Sequence, residues 1–451
     1  MEGSLSAGLG LFFVPNIRKQ PENLVSLIRE TIDNNVDLFQ YIRMIVRETY
    51  LEKIRLFIDK PVIKVITGMR RSGKSVILKL LREELLRKGI REDRILYLNF
   101  ESLGAASLRN ADALHSFVVD TARGNQPRRK AARLYIMLDE IQKIEGWERA
   151  VASLRVDLDC DIYITGSNSG LLSADIAAAL AGRYVEIRIH PLSFAEHLDF
   201  TAAAGEAGNK DMNRQFTDFL RFGGLPGIHE MNIDSGAVIP YLLDIYNSVL
   251  LNDVVGRHHI RDTELLERVI VFLMDNVGNI FSAKRIADFL KSQNRRIGTE
   301  TIYNYLNALE SAFLIRKARR WDVKGKRVLE TREKYYFEDF GLKHALLGYR
   351  EDSISGLLEN VVYLELRRRG YEVYVGQTAN SEIDFIASYR DDIRYYQVAY
   401  LLASDETAER EFAPLLGIND NYPKYVLSMD EFNFGRKGIL HRNIRDWLLG
   451  K

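Results

Sequence analysis

From Pro61 onward, short apolar runs alternate with longer stretches of helical period. Val62–Thr67, Ile95–Asn99, Leu134–Leu138, Asp161–Thr165 and Tyr184–Ile189 have the length and β-branched content of buried strands. The stretches between most of them are long enough for helices. This βα alternation predicts a mostly parallel sheet with helices on both faces. That α/β domain is expected over residues 45–200. Residues 1–44 form an N-terminal extension, in which Leu24, Ile28 and Ile32 recur at helical spacing and predict an amphipathic helix over Asn23–Tyr41.

The pattern then changes. Residues 201–262 read as helical and polar, broken at Gly223-Gly224-Leu225-Pro226-Gly227. They predict a helical lid. Three compact helices follow, over Thr263–Asn276, Ser282–Ser292 and Thr299–Ala312, with Ser282 and Thr299 as N-caps. A strand-rich basic stretch, Leu314–Phe337, comes next. Three helices and a β-ribbon predict a winged helix-turn-helix over 263–337. The remainder, 338–451, predicts a small α/β domain: a helix over Leu357–Arg369, strands at Glu372–Val375, Ile383–Ser388 and Tyr395–Tyr400, then a helix and a strand at Lys424–Ser428.

The chain has 451 residues, long enough for several domains. Lys and Arg number 63 against 62 Asp and Glu, so overall charge gives no general attraction to nucleic acid. Local patches remain possible carriers of such a role. Cys160 is the single cysteine, which excludes an internal disulfide framework and a cysteine zinc cluster and fits a reducing compartment. No run of about 18 apolar residues predicts a membrane span. Met1–Val14 lacks the basic start and long apolar core of a signal peptide. The expected location is the cytoplasm.

The sharpest motif is Gly68-Met69-Arg70-Arg71-Ser72-Gly73-Lys74-Ser75, which fits G-x-x-x-x-G-K-[ST] at every fixed position. It follows a strand and opens a helix, as a phosphate loop must. Backbone N–H groups around Gly68, Arg71, Ser72 and Gly73 would cradle phosphate oxygens, aided by the helix N-terminus. Lys74 is expected at the β- and γ-phosphates, and the Ser75 hydroxyl at Mg²⁺. The strand Leu134–Leu138 ends in Asp139 and Glu140. Asp139 is expected to bind the metal, and Glu140 to act as general base on the attacking water. The strand Asp161–Thr165 ends in Gly166-Ser167-Asn168, beyond the sheet edge where ligands bind. Ser167 or Asn168 is expected to orient that water, or else to cap a helix over Ser169–Leu180. Arg183 is placed to stabilise transition-state charge, in cis or across a subunit interface of a homo-oligomer, or else to form a surface ion pair. The basic run within Gly124–Arg133 reads as a solvated loop.

These motifs resemble the AAA-type P-loop ATPases close to the STAND (signal-transduction) NTPases and archaeal ATPases. More specifically, they resemble bacterial and archaeal proteins joining such a domain to a C-terminal domain of unknown function. Leu-Asp-Glu-Ile-Gln at 138–142, Ile-Thr-Gly-Ser-Asn-Ser at 164–169, Leu-Ala-Gly-Arg-Tyr at 180–184, Pro-Leu-Ser-Phe at 191–194 and Gly-Gly-Leu-Pro at 223–226 carry the likeness with the phosphate loop. Leu-Glu-Asn-Val-Val-Tyr at 358–363 and Glu-Ile-Asp-Phe-Ile at 382–386 extend it. The resemblance implies an arginine finger at Arg183, and a Gly-Gly-Leu-Pro turn near the nucleotide with Pro226 by the base or ribose. A phosphate loop reads phosphates, so the motif alone does not choose ATP over GTP. The resemblance implies ATP, with candidate adenine contacts around Arg47–Leu51. The function expected is a Mg²⁺-dependent, slow ATPase acting as a conformational switch, with a non-hydrolysing ATP-binding scaffold as one alternative.

Two downstream features carry the other alternative, an ATP-gated DNA-binding protein or nuclease. Residues Arg316–Lys334 hold nine basic and three acidic side chains, a local excess of +6. With Trp321 and Lys324-Gly325-Lys326 as a wing tip and Ile302–Tyr305 on a recognition helix, the region could grip duplex DNA. Packing, or relaying nucleotide state to a protein partner, is the competing use. Glu359, Asp384 and Gln397 resemble a restriction-endonuclease-like site, with Glu382 on the same strand face as Asp384. Its last acid position reads Gln397, and the lysine expected two residues later reads Ala399. A degenerate domain is the expectation.

Overall fold

The computed structural model describes residues 45–124, 133–172, 180, 182–204, 211–293, 295, 297–325, 327–350, 353–378 and 381–451. The helix expected over Asn23–Tyr41, most of that over Ser169–Leu180 and most of the basic loop at 124–133 lie outside them.

Five parallel strands form the first sheet: β1 (Ile63–Thr67), β2 (Ile95–Asn99), β3 (Leu134–Asp139), β4 (Cys160–Gly166) and β5 (Tyr184–Arg188). Their order is β2-β3-β4-β1-β5. Every residue of β1 and β3 is buried, which is why both read as continuous apolar runs. Each expected strand appears within two residues of its bounds. The helices Lys74–Arg87, Ala111–Gly124 and Trp147–Asp157 cover this sheet, whose own core includes Val65, Ile136, Leu138, Val151 and Ile164.

The lid begins with Phe194–Ala203, opened by a full capping box in which Ser193 and Glu196 exchange hydrogen bonds. After Met212–Phe222, the helix Ser235–Ser248 runs into a π-helix, Val249–Val255. The continuous run Ser235–His258 is long and apolar enough to cross a membrane by length and composition, a run not expected from the sequence. Its Val238, Leu242, Ile245, Val249 and Val254 are buried in the lid core, so a core helix explains the same composition.

The next three helices are Thr263–Asp275, Ala283–Ser292 and Thr299–Ser311. Ser282 caps the second, accepting from the Arg285 N–H at 3.3 Å. Thr299 is not the cap of the third. That position is Gly298, without a side-chain bond, and Thr299 is already helical.

The second sheet has seven strands: β6 (Ile315–Asp322), β7 (Arg327–Phe337), β8 (Glu372–Gln377), β9 (Glu382–Tyr389), β10 (Asp392–Val398), β11 (Lys424–Ser428) and β12 (Leu440–Asn443), in the order β12-β11-β10-β9-β8-β6-β7. The ribbon β6–β7 is an antiparallel hairpin, as expected. Its β6 also pairs in parallel with β8, through Arg320↔Val375, Trp321↔Gly376 and Asp322↔Gln377. The sheet therefore crosses the boundary expected at 337/338. Trp321 packs on Tyr374, with ring centroids 5.2 Å apart, rather than standing free on a wing tip. The lid, the three helices, the ribbon and the helix Ile354–Arg368 share one apolar core.

Candidate functional site

The phosphate loop leaves the C-terminal end of β1. A Cβ on Gly68 would sit 2.2 Å from the Ile189 carbonyl oxygen, so only glycine lets the loop pass the chain leaving β5. Gly73 has φ +98°, a left-handed value that turns the chain into the helix Lys74–Arg87. Arg71 is exposed, with φ 65°. Lys74 is buried. Its Nζ donates to the Met69 carbonyl at 3.1 Å and lies 3.6 Å from Glu140 Oε1. Burial lowers the Lys74 pKa, against the pull of the Glu140 and Asp139 charges. Ser72 is fully buried and its Oγ has no hydrogen-bond partner, an unmet polar group inside the loop.

At the end of β3, Asp139 Oδ1 accepts from Thr165 Oγ1 at 2.5 Å and Oδ2 from the Tyr97 hydroxyl at 2.7 Å. Burial first, and then the Asp139 charge, push the Tyr97 phenol upward and keep it a donor. Glu140 adopts the left-handed conformation, φ 57°, with its N–H donating to Thr165 Oγ1 at 2.9 Å. Its carboxylate accepts from Gln142 Nε2, which also lies 3.4 Å from Ser167 Oγ. Burial works to raise the Glu140 pKa. The Lys74 charge, the Gln142 bond and the Arg70 charge outweigh it and leave the carboxyl below its ordinary value. Ser167 is buried beside this network. Asn168 Oδ1 accepts the Gly170 N–H in the turn that follows β4. The Ser75 hydroxyl and Asp139 carboxylate are oxygen donors of the kind a hard Mg²⁺ ion takes, and the loop that ends at Ser75 holds the unpartnered Ser72 hydroxyl, so the residues fit that ion.

A family model described as an AAA domain matches residues 60–198, and one described as a domain of unknown function (DUF8612) matches residues 213–353. A protein of Haemophilus influenzae, described as uncharacterized, is 39% identical over 407 residues, covering 90% of this chain and 99% of that protein. The chain belongs to the family of that protein. An uncharacterized protein of Methanocaldococcus jannaschii is 30% identical over 394 residues, covering 85% and 84% of the two chains. Among solved structures, a Walker-type ATPase of Pyrococcus abyssi is 16% identical with a TM-score of 0.48, covering 67% of this chain and 95% of that one. AMPPCP-bound DnaA of Aquifex aeolicus is 14% identical with a TM-score of 0.30, covering 59% and 89%. The second family model covers the lid from residue 213, the three helices, the ribbon and the first residues of the final domain, as far as residue 353.

Three supports of the AAA-domain site were not expected. Arg47, expected near the base, is engaged within the protein. It donates to the Ser72 carbonyl at 2.9 Å, the His190 carbonyl at 2.9 Å and Glu196 Oε1 at 2.8 Å, tying the phosphate loop to the lid. Thr165 bridges Asp139 and Glu140. Asp339 accepts from the Gly224 N–H at 2.7 Å and holds the Gly-Gly-Leu-Pro turn. Burial pushes its carboxyl up to about 6. That turn lies beside the phosphate loop, because a Cβ on Gly73 would be 3.9 Å from Pro226 Cγ.

Arg183 stands elsewhere. The Ile63 N–H donates to its carbonyl at 2.9 Å, at the start of β1, whereas the phosphate loop follows the end of that strand. At a rise of about 3.3 Å per residue the two lie roughly 15 Å apart along the sheet. The exposed Arg183 therefore does not reach its own chain's phosphate loop, and the in-cis role falls.

In the final domain, Glu359, Glu382 and Asp384 do converge, on one cation. Lys334 Nζ from β7 lies 2.8 Å from Glu359, 2.6 Å from Glu382 and 3.6 Å from Asp384. Among the described residues, no group of three or more His, Cys, Asp or Glu is arranged to hold a metal ion. Gln397 turns its amide to Glu411 at 3.1 Å and accepts weakly from the Asp384 N–H at 3.4 Å. Lys334 is thus spent on the carboxylates, and the endonuclease-like arrangement expected here is not established.

Proposed function

We propose that the AAA domain binds ATP with Mg²⁺ and hydrolyses it slowly, and that the lid, ribbon and final domain respond to the terminal phosphate. The observation that carries this reading is the buried Lys74 ammonium 3.6 Å from an ionised Glu140 at the mouth of the loop. Lys74 would move from the Met69 carbonyl to the phosphate oxygens. Ser75 and Asp139 would hold the ion, which supplies charge neutralisation between phosphates when bound. Glu140, kept ionised and aimed by Gln142, would take the proton of the attacking water, with Ser167 at its side. Pro226 would line the base or ribose. Arg183 would serve a neighbouring subunit.

The route outward begins at two successive acids after β7. Asp339 holds the turn beside the phosphate loop, while Glu338 pairs with His190 Nδ1 at 2.6 Å and Arg316 at 2.6 Å. A shift of the turn would thus act on the strand that enters the second sheet.

A protein partner is favoured over duplex DNA, because three of the nine basic side chains are spent on partners within the protein. Arg316 serves Glu338, Arg320 serves Gln377 and Lys334 serves three carboxylates. The same use of Lys334 disfavours the nuclease reading.

Steady-state phosphate release with MgATP, with and without duplex DNA, tests these statements. Glu140→Gln is expected to lower turnover by at least about 100-fold while keeping nucleotide affinity. Lys74→Ala is expected to weaken nucleotide binding itself. Unchanged binding in Lys74→Ala would defeat the site assignment. Strong stimulation by DNA would restore the DNA reading.

A further inference from the structure

Asp253 sits in the π-helix Val249–Val255 of the lid and is 1% exposed. Its partners come from the phosphate loop as well as from its own helix. Arg70 Nε lies 3.0 Å from Oδ2 and Arg70 Nη2 3.5 Å from Oδ1, while Arg257 Nη2 lies 3.9 Å from Oδ1. Arg70 is one of the four variable residues of the loop motif, next to the Met69 carbonyl that holds Lys74. It also reaches Glu101 at 3.5 Å and feels the charge of Glu140. The Asp253 charge acts in turn on the Lys74 ammonium. A buried lid carboxylate thus faces the cations that a terminal phosphate would approach.

Resting on the proposed ATP site, we infer that Asp253 competes with the γ-phosphate for Arg70 and so lets the lid distinguish triphosphate from diphosphate. A terminal phosphate offers more charge and more acceptor oxygens to a guanidinium fork than one carboxylate does. Its arrival would draw Arg70 away and place two anions near each other. Asp253 would then be repelled, and the π-helical turn that carries it would move. Such turns are a frequent place for functional rearrangement, because one extra residue already distorts the helix. A diphosphate lacks the competing group and leaves the Arg70–Asp253 pair intact.

Binding of MgADP and of a Mg-bound, non-hydrolysable ATP analogue to the full-length chain tests this. Asp253→Asn, which keeps the shape and removes the charge, is expected to tighten the triphosphate analogue about tenfold and to leave MgADP within about twofold. Arg70→Gln is expected to weaken the analogue about tenfold, again sparing MgADP. If Asp253→Asn does not fold, Arg70→Gln decides alone. Equal effects on both nucleotides, or none on either, would overturn the competition. Lys74→Ala separates the two levels: if it loses both nucleotides while these variants keep the wild-type preference, the inference fails and the ATP site stands.

Discussion

Glu140 holds a left-handed backbone conformation that costs a non-glycine residue about 1–3 kcal/mol. Thr165 keeps it there, accepting the Glu140 N–H and donating to Asp139 with one hydroxyl. Thr165→Val is expected to lower turnover more than tenfold with little change in nucleotide affinity. It should also cost about 1–3 kcal/mol of stability, because a buried N–H loses its partner. Turnover and denaturant titration together check this. The loop Gly68–Ser75 and the pair Asp139–Glu140 were legible because each is a local run read along one strand end. Thr165 lay within the run that drew notice, but the expectation fell on Ser167 and Asn168. The pairing of β4 beside β3 decides which hydroxyl reaches the carboxylate. Arg47 drew notice only as a candidate base contact, since its partner Glu196 lies 149 residues away.

While β12 was not expected, the strands of the first sheet and β8–β11 of the second fell close to their expected bounds, since hydrophobic runs mark strands locally. Their partners did not, because pairing joins distant segments. Lys334 shows the cost of that gap: it reads as one more basic wing residue and is instead buried among three carboxylates. Lys334→Met is expected to destabilise the fold by about 3–5 kcal/mol, measured by denaturant unfolding, because uncompensated buried charge remains. One ammonium cannot satisfy three acids. Burial, then repulsion from Glu359, push Asp384 up to about 8 despite Lys334. A raised carboxyl stabilises the fold fully below its unfolded pKa of about 3.9, and the contribution is lost as pH rises through the folded value. Stability is therefore expected to fall between about pH 4 and 8, by up to about 1.4 kcal/mol per pH unit from this group. Asp339, at about 6, acts in the same direction over the lower part of that window. Asp384→Asn should flatten the slope between pH 6 and 8, read from urea midpoints. An unchanged slope would mean that Asp384 does not carry the proton.

Arg183 lies on the molecular surface at the sheet end away from the phosphate loop, so any part it takes in hydrolysis requires a second copy of the chain. Arg183→Ala and Lys74→Ala, each expected to be nearly inactive alone, should recover turnover when mixed, because some interfaces then pair an intact loop with an intact arginine. No recovery, with Arg183→Ala fully active alone, would reduce Arg183 to a surface charge. The order of elements, a parallel sheet followed by helices, a ribbon and further strands, was legible from pattern alone. The single sheet that joins the ribbon to the final strands was not.

The parallel pairing of β6 with β8 bears on how this molecule can be taken apart or inherited. The hairpin borrows its inner neighbour from a segment that begins at Glu372. A chain ended soon after Phe337 would bare a row of backbone donors and acceptors along β6, together with the face of Trp321. Such an edge recruits strands from other molecules. The last hundred residues are therefore no portable cassette. Any replacement would have to bring a strand able to lie alongside Arg320–Asp322, a demand on recombination stricter than a matching linker.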